Sequence, residues 1–381
     1  MVARLARSLG DFDLAEDLVQ EAIVAALEHW PREGIPDAPA AWLLTVARRR
    51  GIDRLRREAR YREKLRLLEE APRTVSTETD DRLDLIFTCC HPALAREAQV
   101  ALTLRSVVGL TTGAIARAFL VSEATLAQRI VRAKRKIVDA GIVLRRPDPD
   151  ELPDRLAEVL AVLYLVFNEG YLASGPERAA RRDLAEDAEW LTSLITELLP
   201  GEPEVLGLLA LMRLHLARAD ARFDAHGRLV LLKDQDRTRW DHARIADAVG
   251  VLERAGALKR PGPYQLQAAI AAVHTEAPSW QATDWSQIVR LYDALAAITG
   301  SPVVRLNRAI ALREVAGPAP ALREVDALVD DLDRYHLFHA TRAELLRDLG
   351  RAENAREADR RALELTDNPA ERALLEERIG P

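Results

Sequence analysis

Cysteine is almost missing from this chain: the only two, Cys89 and Cys90, are adjacent. Neighbouring cysteines seldom bridge, so there is no disulfide framework of an exported scaffold, and the chain reads as cytosolic. Aromatic residues are also sparse, at 5%, and no runs of alternating Val, Ile and Thr stand out. That excludes a sheet-rich domain, while the abundant Ala, Leu, Arg and Glu favour an all-α fold. Long apolar runs are absent too. The longest, Val159 to Phe167, falls far short of the roughly 20 residues that span a bilayer, and the first residues have no apolar signal-peptide core, so no membrane association is expected. Metal ligands are few. Cys89-Cys90-His91 has no second cluster with which to close a tetrahedron, so buried thiols are the better reading and no metal or cofactor is expected. His336 and His339, and Asn168-Glu169 beside Tyr171, lack the nucleophile, phosphate loop or second carboxylate that would complete a catalytic site, so no enzyme activity is expected.

What the chain does have is length, core-forming residues and uneven charge. Its 381 residues, 48% of them hydrophobic, suffice for two or three domains with real cores. The net charge of −6 conceals a division near Arg146: residues 1–146 hold 25 Lys+Arg against 20 Asp+Glu, and the remainder 29 against 40. A basic part beside an acidic one points to a nucleic-acid-facing half and a half with another role.

Residues 1–57 read as a small helical bundle. Leu5, Leu9, Leu14, Leu18, Ala22, Val24 and Leu27 have helical spacing, Asp13 and Glu16 resemble a capping box, and a loop from Trp30 to Pro39 precedes a basic helix. Residues 58–80 are polar and read as a linker, 81–146 as a second helical unit, and Arg145-Arg-Pro-Asp-Pro-Asp150 as a boundary. From 151 to 381 one helical pattern follows another. Gly317 and Gly350 lie 33 residues apart between helix-length segments, close to the 34-residue period of tetratricopeptide helix pairs. A non-repeating bundle is the alternative.

Two basic segments carry the functional reading. In the first, Arg48-Arg49-Arg50 and Arg54-Leu-Arg56-Arg57 follow Trp42, and Arg50, Arg54 and Arg57 form one stripe. Such a stripe suits a phosphate backbone or a solvated face, and Trp42 suits a base stack or a core; the segment alone leaves both pairs open. The second is more specific. Leu110 to Ala118 predicts one helix, Phe119-Leu-Val a tight turn, and Ser122 the N-cap of a helix to about Asp139. That is a helix-turn-helix, whose second helix enters the major groove. Glu123, Ala124, Ala127 and Gln128 then meet base edges, while Arg129, Arg132, Lys134 and Arg135 hold phosphates.

Asp13-Leu-Ala-Glu-Asp17-Leu-Val-Gln20-Glu21-Ala, Ala41-Trp42 through Arg57, and the helix-turn-helix together resemble regions 2 and 4 of an extracytoplasmic-function sigma factor. The blocks Phe87–Leu94 and Leu163–Tyr171, with the repeat-like tail, resemble the subgroup with a long tetratricopeptide-type C-terminal extension. The resemblance implies that Asp17, Gln20 and Glu21 dock the β′ clamp helices of RNA polymerase core, with the β flap as a further contact. It implies that the Trp30–Ala40 loop captures a flipped base of the −10 element, with Trp42, Arg48, Arg49, Asp53, Arg54 and Arg57 around the melted strand. It places Ser122, Glu123, Thr125, Ala127, Gln128, Arg129, Arg132 and Lys134 at the −35 element of promoter DNA. It also implies a linker threading the polymerase and an extension that binds a protein partner or regulates. Relatives often have a basic residue where this chain has Ala127, so their −35 sequence does not transfer. A stand-alone helix-turn-helix regulator with a sensory helical domain is the rival reading, and it leaves the basic helix of 1–57 unexplained.

Overall fold

The computed structural model describes residues 1–9, 12–57, 81–119, 121–171 and 178–380; the linker predicted at 58–80 lies outside them. All of their regular structure is helical, apart from one isolated bridge between Phe223 and Leu229, in accord with the all-α expectation. The chain divides into two compact units, Met1–Leu165 and Val166–Pro381.

In the first unit, α1 (Val2–Leu9) packs on α2 (Phe12–Glu33), and α2 on α3 (Pro39–Arg57). Leu5, Leu9 and Leu18 are buried with Ala15, Ala22, Ala25 and Ala47, small side chains that let helix axes approach closely. Three expectations are corrected here. Val24 and Leu27 are 53% and 71% exposed, because at about 100° per residue they point away from the Leu18–Ala22–Ala25 stripe. The loop expected from Trp30 is shorter, since α2 runs through Pro31 to Glu33. Asp13 and Glu16, expected as a capping box, both lie inside α2 rather than before it, and the Glu16 carboxylate is engaged elsewhere.

The same unit continues with α4 (Asp81–Cys89) and α5 (Arg96–Leu102), which passes into a π-helical turn, Thr103–Val108. Gly109, at φ 91°, ends that turn in a backbone conformation few other residues adopt. Next come α6 (Thr112–Ala118) and α7 (Glu123–Asp139). Leu83, Ile86, Phe87, Leu102, Leu104, Ile115 and Leu126 are buried around them. Both cysteines are buried and unbridged; the Cys90 thiol lies 3.4 Å from the Thr103 hydroxyl, and burial pushes it up to about 12. The first turns of α8 (Leu152–Tyr171) tie back onto this unit: Arg155 donates to the Phe87 carbonyl at 2.6 Å, and Arg96 pairs with Glu158 at 2.9 Å.

In the second unit, α10 (Pro203–Leu216) is apolar on nearly every side, with Val205, Leu208, Leu209, Met212 and Leu214 all buried. Such a helix has to be surrounded, and it packs against α9 (Arg178–Leu198), α11 (His242–Ala257) and α12 (Pro263–Glu276). Gly207 permits the closest of these approaches: a Cβ there would lie 2.6 Å from the Gln265 backbone nitrogen. From α12 onward, each helix packs on the next through α13 (Trp285–Thr299), α14 (Pro302–Ala316) and α15 (Pro318–Asp326); α15 then packs on α17 (His336–Asp348) past the short α16 (Val329–Leu332), and α18 (Ala352–Leu365) and α19 (Pro369–Ile379) follow in turn. Gly317 and Gly350, singled out by their spacing, both have positive φ, 86° and 74°.

Candidate nucleic-acid interface

The local sequence builds α6 and α7 as anticipated, with small shifts. Thr111 caps α6, its hydroxyl accepting from the Ala114 N–H at 3.1 Å, so that helix starts at Thr112 rather than Leu110. Ser122 caps α7: its Oγ accepts from the Thr125 N–H at 3.1 Å and lies 2.7 Å from the Thr125 hydroxyl. Ser122 and Thr125 are therefore exposed but hold each other. The Val121 N–H to Ala116 carbonyl bond, 3.0 Å, closes the turn between the helices. Leu126, Ile130, Ala133 and Ile137 face inward. Ala124, Gln128, Val131, Arg132 and Arg135 form the opposite, solvent face, with Glu123 and Ala127 also exposed and Arg129 half-buried.

Among the described residues, Arg129, Arg132 and Lys136 have no acidic partner, and Arg135 meets only Asp139, at 3.6 Å with both side chains largely in solvent. Cations held this loosely can exchange water for phosphate at little cost. Val131, 60% exposed in the middle of this face, was not anticipated as a contact. The helical period placed it outward, and an apolar side chain there can meet a thymine methyl.

Lys134 departs from its expected role. It is buried, and its ammonium lies 2.6 Å from Glu16 of α2, whose other carboxylate oxygen lies 3.4 Å from Arg105. The reason is rotation along α7: Lys134 falls on the Leu126–Ile130–Ile137 side, away from Arg132. It joins the recognition helix to the N-terminal bundle rather than facing a phosphate.

On the N-terminal bundle, Asp17 and Gln20 are exposed on α2, and Glu21 is half-buried. Glu21 is bound to the bundle: Arg50 donates to its main-chain carbonyl at 3.0 Å and lies 3.5 Å from its carboxylate. That removes Arg50 from the phosphate stripe expected of Arg50, Arg54 and Arg57. Exposed Ile23, Val24 and Leu27 share the face of Gln20. These apolar groups left in solvent beside the predicted docking residues are not evident from sequence, where Val24 and Leu27 fit the core spacing. On α3, Arg49 is exposed and Arg48 half-buried. Trp42 is half-buried against Trp30, 5.6 Å between centroids, and His29, 6.3 Å. The side chains of Asp53, Arg54 and Arg57 lie outside the described residues.

The block ending in Tyr171 serves packing in the second unit. Phe167 and Tyr171 stack at 5.4 Å, Tyr171 lies 5.0 Å from the half-buried His215 ring, and Arg222 sits 4.0 Å over Tyr171. Burial, with Arg218 and Arg222 nearby, holds His215 well below the usual imidazole range.

Three family models match parts of the chain: Sigma-70 region 2 over residues 1–61, Sigma-70 region 4 over 84–137, and a family of unknown function over 155–256. An uncharacterized protein of Rhizobium meliloti (strain 1021) is 45% identical across 97% of this chain and 90% of its own length. The ECF RNA polymerase sigma factor SigL of Mycobacterium tuberculosis is 32% identical over 136 residues, 34% of this chain and 76% of its own length. No solved structure gives a significant match. With a capped recognition helix in place and both sigma regions matched in order, the chain belongs to the RNA polymerase sigma factors and recognises promoter DNA for the polymerase.

Proposed function

We propose that promoter reading is centred on the outer face of α7, with Gln128, Val131 and Arg132 toward bases and Arg129 and Arg135 toward phosphates. The single observation that carries this reading is the division of α7, with its apolar side and Lys134 turned inward and Arg132, Arg135 and Lys136 exposed without tight acidic partners. Asp17 and Gln20, with the exposed apolar stripe beside them, form the surface we assign to the β′ clamp helices. Arg48 and Arg49 we assign to the melted −10 strand. A basic surface of this kind binds with affinity that falls steeply with salt.

The remaining helices we read as a repeat-like extension of tetratricopeptide type that binds a protein partner and supports initiation, without catalysis of its own. The positive-φ glycines 33 residues apart and the run of helices packed largely on their sequence neighbours support that reading. Run-off transcription with core polymerase and a cognate promoter tests both parts. The full chain should initiate, Gln128→Ala and Arg132→Ala should lose promoter preference, and a chain ending after Leu165 should lose transcription while remaining soluble. Equal initiation with and without the full chain defeats the promoter assignment, and equal initiation by full and shortened chains defeats the role of the extension.

A further inference from the structure

In the second unit, 25 residues of largely irregular chain, 217–241, separate α10 from α11, in a region where the other connections are short. Ordered loops of this length usually serve a function. This one is fixed at many points. The Asp224 carboxylate accepts from the N–H groups of His226 and Arg228 at 2.8 and 2.9 Å, and the Val230 N–H donates to the Arg222 carbonyl at 2.8 Å. Arg237 donates to the carbonyls of His274 and Ala277, both at 2.6 Å. The result is that Leu231, Leu232 and Lys233 wall a cavity of about 320 Å³ over α12, α13 and α14, within the size range of small-ligand sites.

The opposite wall is aromatic. Trp280 and Trp285 lie 4.4 Å apart, and His274 stacks on Trp280 at 6.1 Å. The Trp285 indole N–H is used, donating to the Trp280 carbonyl at 3.3 Å. Burial, with Arg218 and Arg237 nearby, lowers His274 to about 3, so this ring is neutral and acts as a flat apolar surface. These large rings remain only half-buried, which leaves faces open to a planar guest.

The polar groups at the cavity are mostly donors. Among the described residues, the Asn307 carboxamide has no partner. Among the described residues Lys233 meets only Glu344, at 3.4 Å, leaving further N–H groups to give. Glu344, the acid at the wall, is already shared with Arg313 at 3.0 Å and Arg378 at 3.7 Å. A cavity with flat apolar walls and unused donors at one side fits a ligand with the reverse arrangement.

We propose that this cavity binds a planar apolar group bearing a carboxylate, the ring held between the Trp280–Trp285 wall and Leu231–Leu232, the carboxylate taken by Lys233 and Asn307. Two sources share that chemistry: a free aromatic carboxylic acid and the C-terminal aromatic residue of a peptide. The inference rests on the partner-binding role proposed for these helices. Binding is read without transcription, so the two ideas can fail separately.

The test is titration of the full chain, by calorimetry and tryptophan fluorescence, with indole-3-acetate and with Ala-Ala-Ala-Phe as its free acid and as its C-terminal amide. Saturable binding of indole-3-acetate supports a free acid, and binding of the peptide acid alone supports a chain terminus. In either case Lys233→Ala and Asn307→Ala should each weaken binding about tenfold, on the order of one charge-assisted hydrogen bond. Both positions are solvent-accessible, so unchanged melting temperatures show the variants folded. Absence of saturation with every probe, affinity unaltered in both variants, or saturable binding of the peptide amide with the affinity of the peptide acid overturns the proposal.

Discussion

Lys134→Met offers the sharpest separation of a structural from a DNA-contacting lysine. The Lys134–Glu16 pair spans 2.6 Å with side chains only 10% and 14% exposed, so both charges have given up most of their water. Removing one member of a fully buried pair costs about 3–5 kcal/mol, chiefly because the other is left uncompensated. Here Arg105, 3.4 Å from the same carboxylate, still partners Glu16, which lowers the expected cost of Lys134→Met to about 2 kcal/mol. Glu16→Gln removes the charge both cations face and should cost about 3 kcal/mol. The double variant should be less destabilised than the two losses added together, by at least about 1 kcal/mol, as expected of groups in contact. Urea unfolding measures these costs, and hydrogen exchange of peptides from α2 and α7 localises them. Promoter binding supplies the second readout: Lys134→Met should leave the salt slope unchanged, whereas Arg135→Ala should reduce it by about 1. Strict additivity in the double variant, or a slope that falls with Lys134→Met as it does with Arg135→Ala, would refute the reasoning.

Gln128→Ala and Arg132→Ala should each cost about 1–3 kcal/mol of discrimination between the promoter −35 duplex and a scrambled one; competition binding measures it, and lack of preference in the wild type counts against the face assigned to α7. Glu204 accepts from the N–H groups of Tyr264 and Gln265 at 2.9 and 3.2 Å, closing the start of α12, so Glu204→Ala should lower stability by about 1–2 kcal/mol in thermal melts. His274, held to about 3 against an ordinary 6.5, takes up a proton on unfolding once the pH is below 6.5. Stability is then present above that pH and falls as the pH drops toward 3, with roughly 2 kcal/mol lost from this group by pH 5. Comparing melts at pH 5 and 7.5 checks it, and His274→Phe should flatten the difference; a wild type equally stable at both would contradict the assignment.

The helix-turn-helix was legible because its determinants are local. Ser122 and Thr111 lie next to the helices they cap, and the period of Leu126, Ile130 and Ile137 fixes which face turns inward. What sequence could not disclose depends on partners far along the chain. Glu16 lies 118 positions from Lys134, and Glu21 lies 29 from Arg50, so both cations looked free to meet DNA. Val24 and Leu27 fitted a helical period without revealing which side of α2 the alanines would claim. In the second unit the glycines at 317 and 350 mark real turns, whereas Trp280, Trp285, Lys233 and Asn307 form no sequence pattern; only folding of the 217–241 segment gathers them at one cavity.

The bonds from Arg155 to the Phe87 carbonyl and from Glu158 to Arg96 bear on how such a chain can be dismantled or recombined. They belong to the first turns of α8, beyond the proline-rich segment that looks like the natural place to cut. A fragment stopping at Arg146 would leave the Phe87 carbonyl short of a donor and Arg96 short of its acid. Grafting the extension onto another sigma factor would likewise import half a helix made to fit a different recipient. The transferable promoter-binding piece is therefore longer than its DNA-reading parts, and the seam for engineering chimaeras lies inside α8.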